Sequence, residues 1–260
     1  MRLLLVLPFL ALHLLCTQGA KITIIDGEIA NPHSRPYMAL IKFETSYGES
    51  ICGGSLIHPR WVLTAGHCQM LGSVVTVILG AHDMDKYEKQ KQMFRSPKSF
   101  THPRYNNSKY FNDLKLYKLP RAAKLGKGVQ LLPLPKPSND LQEGTVCETA
   151  GWGKTKKDDE SQYLLEVNVT VLSRETCADR YIRLEMEITE NMMCTSVGPG
   201  GQDTCTGDSG GPLICNGVLS GVTSFGPKKC GQPNKASVFT RLTQEYIDWI
   251  QSKINSTKLT

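Results

Sequence analysis

Past residue 15 the chain has no long hydrophobic run. The one apolar stretch, Leu3 to Leu15, follows Met1-Arg2 and gives way to Cys16-Thr17-Gln18-Gly19-Ala20. A charged start, a short apolar segment and a small-residue exit mark a cleavable export signal, too short to span a bilayer. A signal at 1–19 (or 1–20) and a short leader at 20–23 are expected, with no membrane span in the remainder. Internal repeats and low-complexity linkers are also missing. So is any CxxC or Cys/His spacing suited to metal ligation. No metal and no cofactor is expected, and no motif for specific nucleic-acid recognition is present.

Nine cysteines are there, and Cys16 leaves with the signal. The remaining eight, an even count in an exported chain, imply disulfides, although arithmetic alone leaves many pairings open. Free thiols are the alternative. Short alternating runs such as Val74–Leu79 and Tyr163–Val169, separated by Gly/Pro/Asn turns, read as all-β. A proline-rich stretch, Leu131 to Pro137, interrupts them. Near the end Tyr246, Ile247, Trp249, Ile250 and Ile254 fall on one helical face, with Thr243 as candidate N-cap.

The most specific chemistry lies in Gly207-Asp208-Ser209-Gly210-Gly211-Pro212. A serine hydroxyl is a weak nucleophile until a base takes its proton and donors stabilise the oxyanion that follows. A glycine-rich turn supplies such donors through the N–H groups of Gly207 and Ser209. The base candidate is His67, in Thr64-Ala65-Gly66-His67-Cys68 after the apolar run Trp61-Val62-Leu63. Read alone it is equally a surface histidine beside a disulfide. His33, His58, His82 and His102 lack such a context. The acid candidate is Asp113, at the start of the alternating strand Asp113–Leu119, where an aspartate is also common for structural reasons. The order His67, Asp113, Ser209 ties the three together.

On these residues the chain resembles the trypsin-like serine peptidases of the chymotrypsin family. The resemblance runs from Ile24 to about Ile254. It rests on Ile24-Ile25-Asp26-Gly27, Thr64–Cys68, Asp113-Leu114-Lys115-Leu116, Ala150-Gly151-Trp152-Gly153, Asp203–Pro212 and the C-terminal helix. Stretches such as Pro32–Met38 and Gly221–Gly226 place it nearest the granzyme branch. The resemblance implies two six-stranded antiparallel Greek-key β-barrels with a C-terminal α-helix. The first barrel would cover about 24–122, the second about 140–242 and the helix 243–255. It implies the pairs Cys52–Cys68, Cys147–Cys215, Cys177–Cys194 and Cys205–Cys230. It also implies a catalytic triad of His67, Asp113 and Ser209, an acyl-enzyme route and an endopeptidase activity.

For the primary pocket, the resemblance puts Asp203 at the base, which favours a Lys or Arg guest because an apolar one leaves the charge unpaired. Thr204, Ser224, Phe225, Gly226 and Ser237 would line the cleft, with Tyr110 at a neighbouring subsite. Four features depart from the family pattern. Ser237 stands where such members usually have glycine, which would narrow access to Asp203. Gly66 replaces the usual alanine beside the histidine, a small change. The stretch His102-Pro103-Arg104-Tyr105 lacks the cysteine that joins two subunits in some granzymes, so a monomer is expected. Finally, Ile24 follows Thr23 rather than a basic residue. The resemblance implies that the Ile24 amine pairs with Asp208, and stepwise dipeptide removal from Ala20-Lys21-Ile22-Thr23 would free it.

The formal charge is +6, and residues 1–23 carry Arg2 and Lys21 but no acid, so their removal leaves +4. Lys86, Lys89, Lys91, Arg95 and Lys98 cluster, as do Lys154, Lys156 and Lys157. Such clusters suit acidic proteoglycan, or are simply solvated loops. Asn106, Asn168 and Asn255 head glycosylation sequons. Expected partners are protein substrates with Lys/Arg at the cleavage site and serpin-type inhibitors. The expected location is extracellular or a secretory granule. The alternatives are another secreted trypsin-like protease of digestive, venom or mast-cell kind, or a non-catalytic basic binding homologue.

Overall fold

The computed structural model describes residues 27–136, 140–155, 159–197, 203–227, 230–232 and 234–256. Fourteen strands are described: β1 (Glu28–Ile29), β2 (Met38–Thr45), β3 (Gly48–His58), β4 (Trp61–Thr64), β5 (Val74–Leu79), β6 (Gln92–Arg95), β7 (Lys98–Thr101), β8 (Lys115–Lys118), β9 (Val146–Gly151), β10 (Leu165–Leu172), β11 (Met192–Ser196), β12 (Pro212–Cys215), β13 (Val218–Phe225) and β14 (Ala236–Arg241). Helix α1 (Arg174–Tyr181) lies between β10 and β11, and α2 (Gln244–Ser256) ends the described chain. All pairings between these strands are antiparallel.

The strands form two barrel-like sheets, as expected, the second built on a closed ring of six and the first a sheet of seven. The first sheet has seven strands in the order β6-β5-β2-β3-β4-β8-β7. Its two edges, β6 and β7, are consecutive in sequence and joined by Ser96-Pro97. Ser96 has φ 49° and its N–H donates to Val75 O at 2.8 Å, while Pro97 has no N–H to give, so the ladder ends as the chain turns. In the second sheet β10-β11-β14-β13-β12-β9 closes into a six-membered ring through β9–β10, and β1 adds outside it. The strand at 28–29 therefore pairs with the second sheet, not with the first barrel in which the 24–122 boundary put it. Its register is Glu28↔Glu166, continued by Ala30 N–H to Leu164 O at 3.0 Å.

Two helical details differ from the sequence reading. The last helix starts at Gln244, and the Thr243 hydroxyl makes no hydrogen bond among the described residues. The real side-chain cap belongs to α1, which was not foreseen: Ser173 Oγ accepts from Thr176 N–H at 3.2 Å. The amphipathic face of α2 was read correctly. Tyr246, Ile247 and Ile250 are buried, with Tyr246 and Ile250 inside a core shared with first-sheet residues Val62, Leu63, Leu114 and Leu116. The helix thus holds the two halves together. Fully burying each such large apolar side chain contributes roughly 1.5–3 kcal/mol.

Four disulfides join Cys52–Cys68, Cys147–Cys215, Cys177–Cys194 and Cys205–Cys230, the pairs that the resemblance implies. Cys16 lies outside the described residues. In the first basic cluster Lys86, Lys89, Arg95 and Lys98 are exposed, and Lys91 is the member drawn inward. Lys91 Nζ donates to the carbonyls of Asp83 (2.5 Å), Met84 (3.3 Å) and Lys86, and lies 3.5 Å from Glu88 Oε2. Lys86 pairs with Asp83 at 3.4 Å. Lys156 and Lys157 of the second cluster lie outside the described residues. Asn106, Asn168 and Asn255 are all exposed, while Thr257 of the last sequon lies outside the described residues. No helix among the described residues is long and apolar enough to cross a membrane.

Candidate active site

The loop after β4 carries His67, and the Cys52–Cys68 disulfide ties its next residue to β3. Asp113 sits just before β8, fully buried. Its Oδ1 accepts the His67 backbone N–H at 2.8 Å, and its Oδ2 lies 2.7 Å from His67 Nδ1. A neutral ring bonded this way donates from Nδ1, which leaves Nε2 as the basic nitrogen. Ser224 Oγ, on β13 of the other sheet, donates to the same Oδ2 at 2.5 Å. Ser224 was expected only as a cleft wall; its hydroxyl also fixes the acid. The sequence carries no signal for this contact, because 111 residues separate the two partners.

Ser209 lies in the turn before β12. Its carbonyl accepts the Gly53 N–H at 2.8 Å, which docks the turn on the first sheet. The N–H groups of Gly207 and Ser209 have no partner among the described residues, whereas Asp208 N–H between them donates to Cys205 O at 3.0 Å. Two free donors on either side of an occupied one are available to an incoming oxyanion. Gly207 has φ 98°, and a Cβ there would stand 2.8 Å from Gly153 Cα, so only glycine fits. Ser209 and His67 line one cleft of about 240 Å³ with Tyr110, Phe225 and Gly226. No hydrogen bond joins the Ser209 hydroxyl to His67 here; such contacts commonly tighten only when substrate binds.

Tyr110 adopts φ 54° and stands between two rings, edge-on to His67 at 5.7 Å and tilted against Phe225 at 5.1 Å. Gly66 has a larger consequence than its sequence reading gave it. A Cβ at that position would come within 3.0 Å of both Asp113 Oδ1 and Tyr105 Cδ2, so the missing methyl lets the Tyr105 ring pack close to the acid. Burial first, then the nearby Asp113 charge, raise the Tyr105 phenol well above its ordinary value. Lys115 was also missed. It alternates out of an apolar strand on paper, yet both faces of β8 are buried. Its Nζ holds Cys68 O (3.1 Å) and Gln69 Oε1 (3.0 Å) behind the histidine loop. Burial pulls its pKa down to about 8, against the pull of Asp113.

Asp203 is also fully buried. Its Oδ1 accepts from Thr204 N–H (2.9 Å) and Ser237 Oγ (2.6 Å), its Oδ2 from Gly231 N–H (3.1 Å). Burial raises its pKa and these three donors oppose the rise. Asp208 accepts from Gly153 N–H (2.8 Å) and Cys205 N–H (2.9 Å), and burial pushes its pKa up to about 6 despite them. Ile24, its expected partner, lies outside the described residues. Of the other histidines, His102 packs between Tyr246 and Trp249, and burial lowers its pKa to about 4. It is a buried residue of the fold.

Two barrel-like sheets with a serine, a histidine and a buried aspartate brought to the cleft between them mark the trypsin class of serine peptidases. The family model described as Trypsin matches residues 24–250, and the chain belongs to that family. Granzyme A of Bos taurus is 42% identical over 234 residues, covering 89% of this chain and 88% of that protein. The chain is a granzyme A-like serine endopeptidase, and its substrates are proteins.

Proposed function

We propose that this endopeptidase cleaves peptide bonds after Lys or Arg, with Ser209 as nucleophile, His67 as general base and acid, and Asp113 as the group that orients and stabilises the imidazolium. The observation that carries the reading is the chain of contacts Ser224 Oγ to Asp113 to His67 Nδ1, ending in the cleft that Ser209 also lines. Ser209 Oγ bonds to the substrate carbonyl carbon as His67 Nε2 takes its proton. The N–H groups of Gly207 and Ser209 hold the oxyanion. Collapse passes that proton to the leaving amine and leaves an acyl-serine. Water, deprotonated by His67, then releases the carboxylic acid and restores the hydroxyl. No metal or cofactor enters these steps.

In this reading Asp203 attracts the basic side chain, and Thr204, Ser224, Phe225, Gly226 and Ser237 shape its pocket, with Tyr110 at the adjoining subsite. The Ile24 amine, once freed by peptidase action after Thr23, pairs with Asp208 and completes the turn around Gly207. Export or granule storage follows from the expected signal at 1–19. Serpin-type inhibitors would engage the same cleft as substrate. Acidic proteoglycan is a weaker element, because Lys91 of the first basic cluster is engaged by backbone carbonyls and the exposed Lys86 already pairs with Asp83.

The test is hydrolysis of Lys and Arg peptide substrates by the chain processed to begin at Ile24. Ser209→Ala should lower kcat by about a millionfold and abolish labelling by a fluorophosphonate. Labelling that persists in the variant would remove Ser209 from its role.

A further inference from the structure

The floor of the primary pocket is not the carboxylate of Asp203. Asp203 is fully buried and does not line the cleft, whereas Thr204 and Ser237 do. Their hydroxyls form a directed chain. A carboxylate oxygen only accepts, so Ser237 Oγ must donate to Asp203 Oδ1 (2.6 Å), and Thr204 Oγ1 must in turn donate to Ser237 Oγ (3.1 Å). Both protons therefore point toward the buried charge. What remains for a guest is oxygen lone pairs, made more negative by the anion behind them.

The count of lone pairs on Asp203 sharpens this. Two carboxylate oxygens offer about four acceptor directions. Thr204 N–H and Ser237 Oγ use two on Oδ1, and Gly231 N–H uses one on Oδ2. One is left. A guanidinium gains most from a two-pronged grip on both carboxylate oxygens, and its planar fork carries five N–H donors that need partners. Here the second prong is taken and the approach is roofed. An ammonium is a compact point charge with three rotatable donors, and it needs no fork. Two hydroxyl oxygens and a water satisfy it. Space points the same way: Ser237 Oγ lies 3.4 Å from where a Cβ would stand on Gly226, so it takes up room between that wall and Asp203.

Resting on the Lys/Arg reading, we infer that the Thr204–Ser237 hydroxyl pair makes this peptidase prefer lysine over arginine before the scissile bond, with Ser237 as the specificity-determining residue. The roof replaces direct carboxylate contact by hydroxyl contact, which costs the longer, forked side chain more than the shorter one.

The experiment uses the chain processed to begin at Ile24 and four peptide amides identical except for Lys, Arg, Ala or Phe before the scissile bond. Active-site concentration is set by fluorophosphonate titration. The expected kcat/KM for Lys exceeds that for Arg by about tenfold. Ser237→Gly should raise Arg turnover by about tenfold or more and, with one of the two hydroxyls that hold the ammonium gone, lower Lys turnover several-fold, bringing the two to parity or reversing them. A second measurement on the unaltered enzyme compares butylamine with butylguanidine as competitive inhibitors, the amine binding more tightly. An Arg preference in the unaltered enzyme, or a Lys/Arg ratio that Ser237→Gly leaves unchanged, overturns the inference while leaving Lys/Arg cleavage intact. Cleavage of the Ala or Phe peptide with neither basic one cut overturns the Lys/Arg reading itself. If Ser237→Gly fails to titrate, the peptide ratio and the inhibitor pair of the unaltered enzyme decide.

Discussion

Asp113 and Asp203 are both fully buried, and each accepts a serine hydroxyl from the second sheet, Ser224 at 2.5 Å and Ser237 at 2.6 Å. They differ in their remaining partners. Asp113 holds the ring and the backbone N–H of His67, so a group able to carry the opposite charge is already in contact. Asp203 is held by backbone N–H dipoles of Thr204 and Gly231, with no cation beside it among the described residues. A buried charge without a counter-charge is costly, by several kcal/mol even after relaxation. The first site keeps an imidazole in contact with its acid. The second has no such partner among the described residues, which in the proposed reading makes it receptive to a positively charged guest.

The two acids should therefore fail differently. Asp113→Asn should lower kcat by about ten-thousandfold, through loss of the correct imidazole tautomer, and slow fluorophosphonate labelling comparably. Asp203→Asn should leave labelling rates within a few-fold of the unaltered enzyme, yet lower kcat/KM for basic peptides by about a hundredfold or more. Slow labelling in Asp203→Asn would mean that the two sites are not separable.

Asp208 extends the comparison to a third buried acid, whose expected partner is the chain's own amine. Its folded-state pKa is raised to about 6 from 3.8, so in the unprocessed precursor the folded form keeps a proton that the unfolded form releases. The precursor should then lose stability as pH rises from about 4 to 6, by roughly 3 kcal/mol from this group alone. Urea unfolding of the precursor at pH 4 and pH 6.5, beside its Asp208→Asn variant, checks it. The variant should lack that component of the pH dependence, and processing at Ile24 should remove it too. Identical pH dependence in precursor and variant would refute it. The smallest effect is expected at Ser224→Ala, about a tenfold loss in kcat as one charge-assisted hydrogen bond to Asp113 disappears. Stability should change little, since the two His67 bonds remain.

The residues of these sites were legible to different degrees, for a physical reason. His67, Asp113, Ser209 and Asp203 stand in short local patterns, where neighbouring glycines and cysteines disclose the geometry. The hydroxyls that complete the acids do not. Ser224 reaches Asp113 across 111 residues and Ser237 reaches Asp203 across 34, so their orientation follows from how β13 and β14 pack. Ser237 drew notice as a bulk in the pocket wall; that its hydroxyl is spent on Asp203 needed coordinates. The β-rich class and the buried face of α2 followed from periodicity. Sheet membership of β1 did not, because a two-residue strand carries no periodicity to read. Lys115 misled for a related reason, since alternation implies one wet face and β8 has none.

Lys91 brings an ammonium to three backbone carbonyls and Glu88, within the loop that runs from Asp83 to Lys91. A diffusible ion would occupy such a cradle only in proportion to its concentration. A covalently tethered one has a fixed, high effective concentration that dilution and chelators do not alter. The cation that braces this loop is therefore supplied by the chain itself.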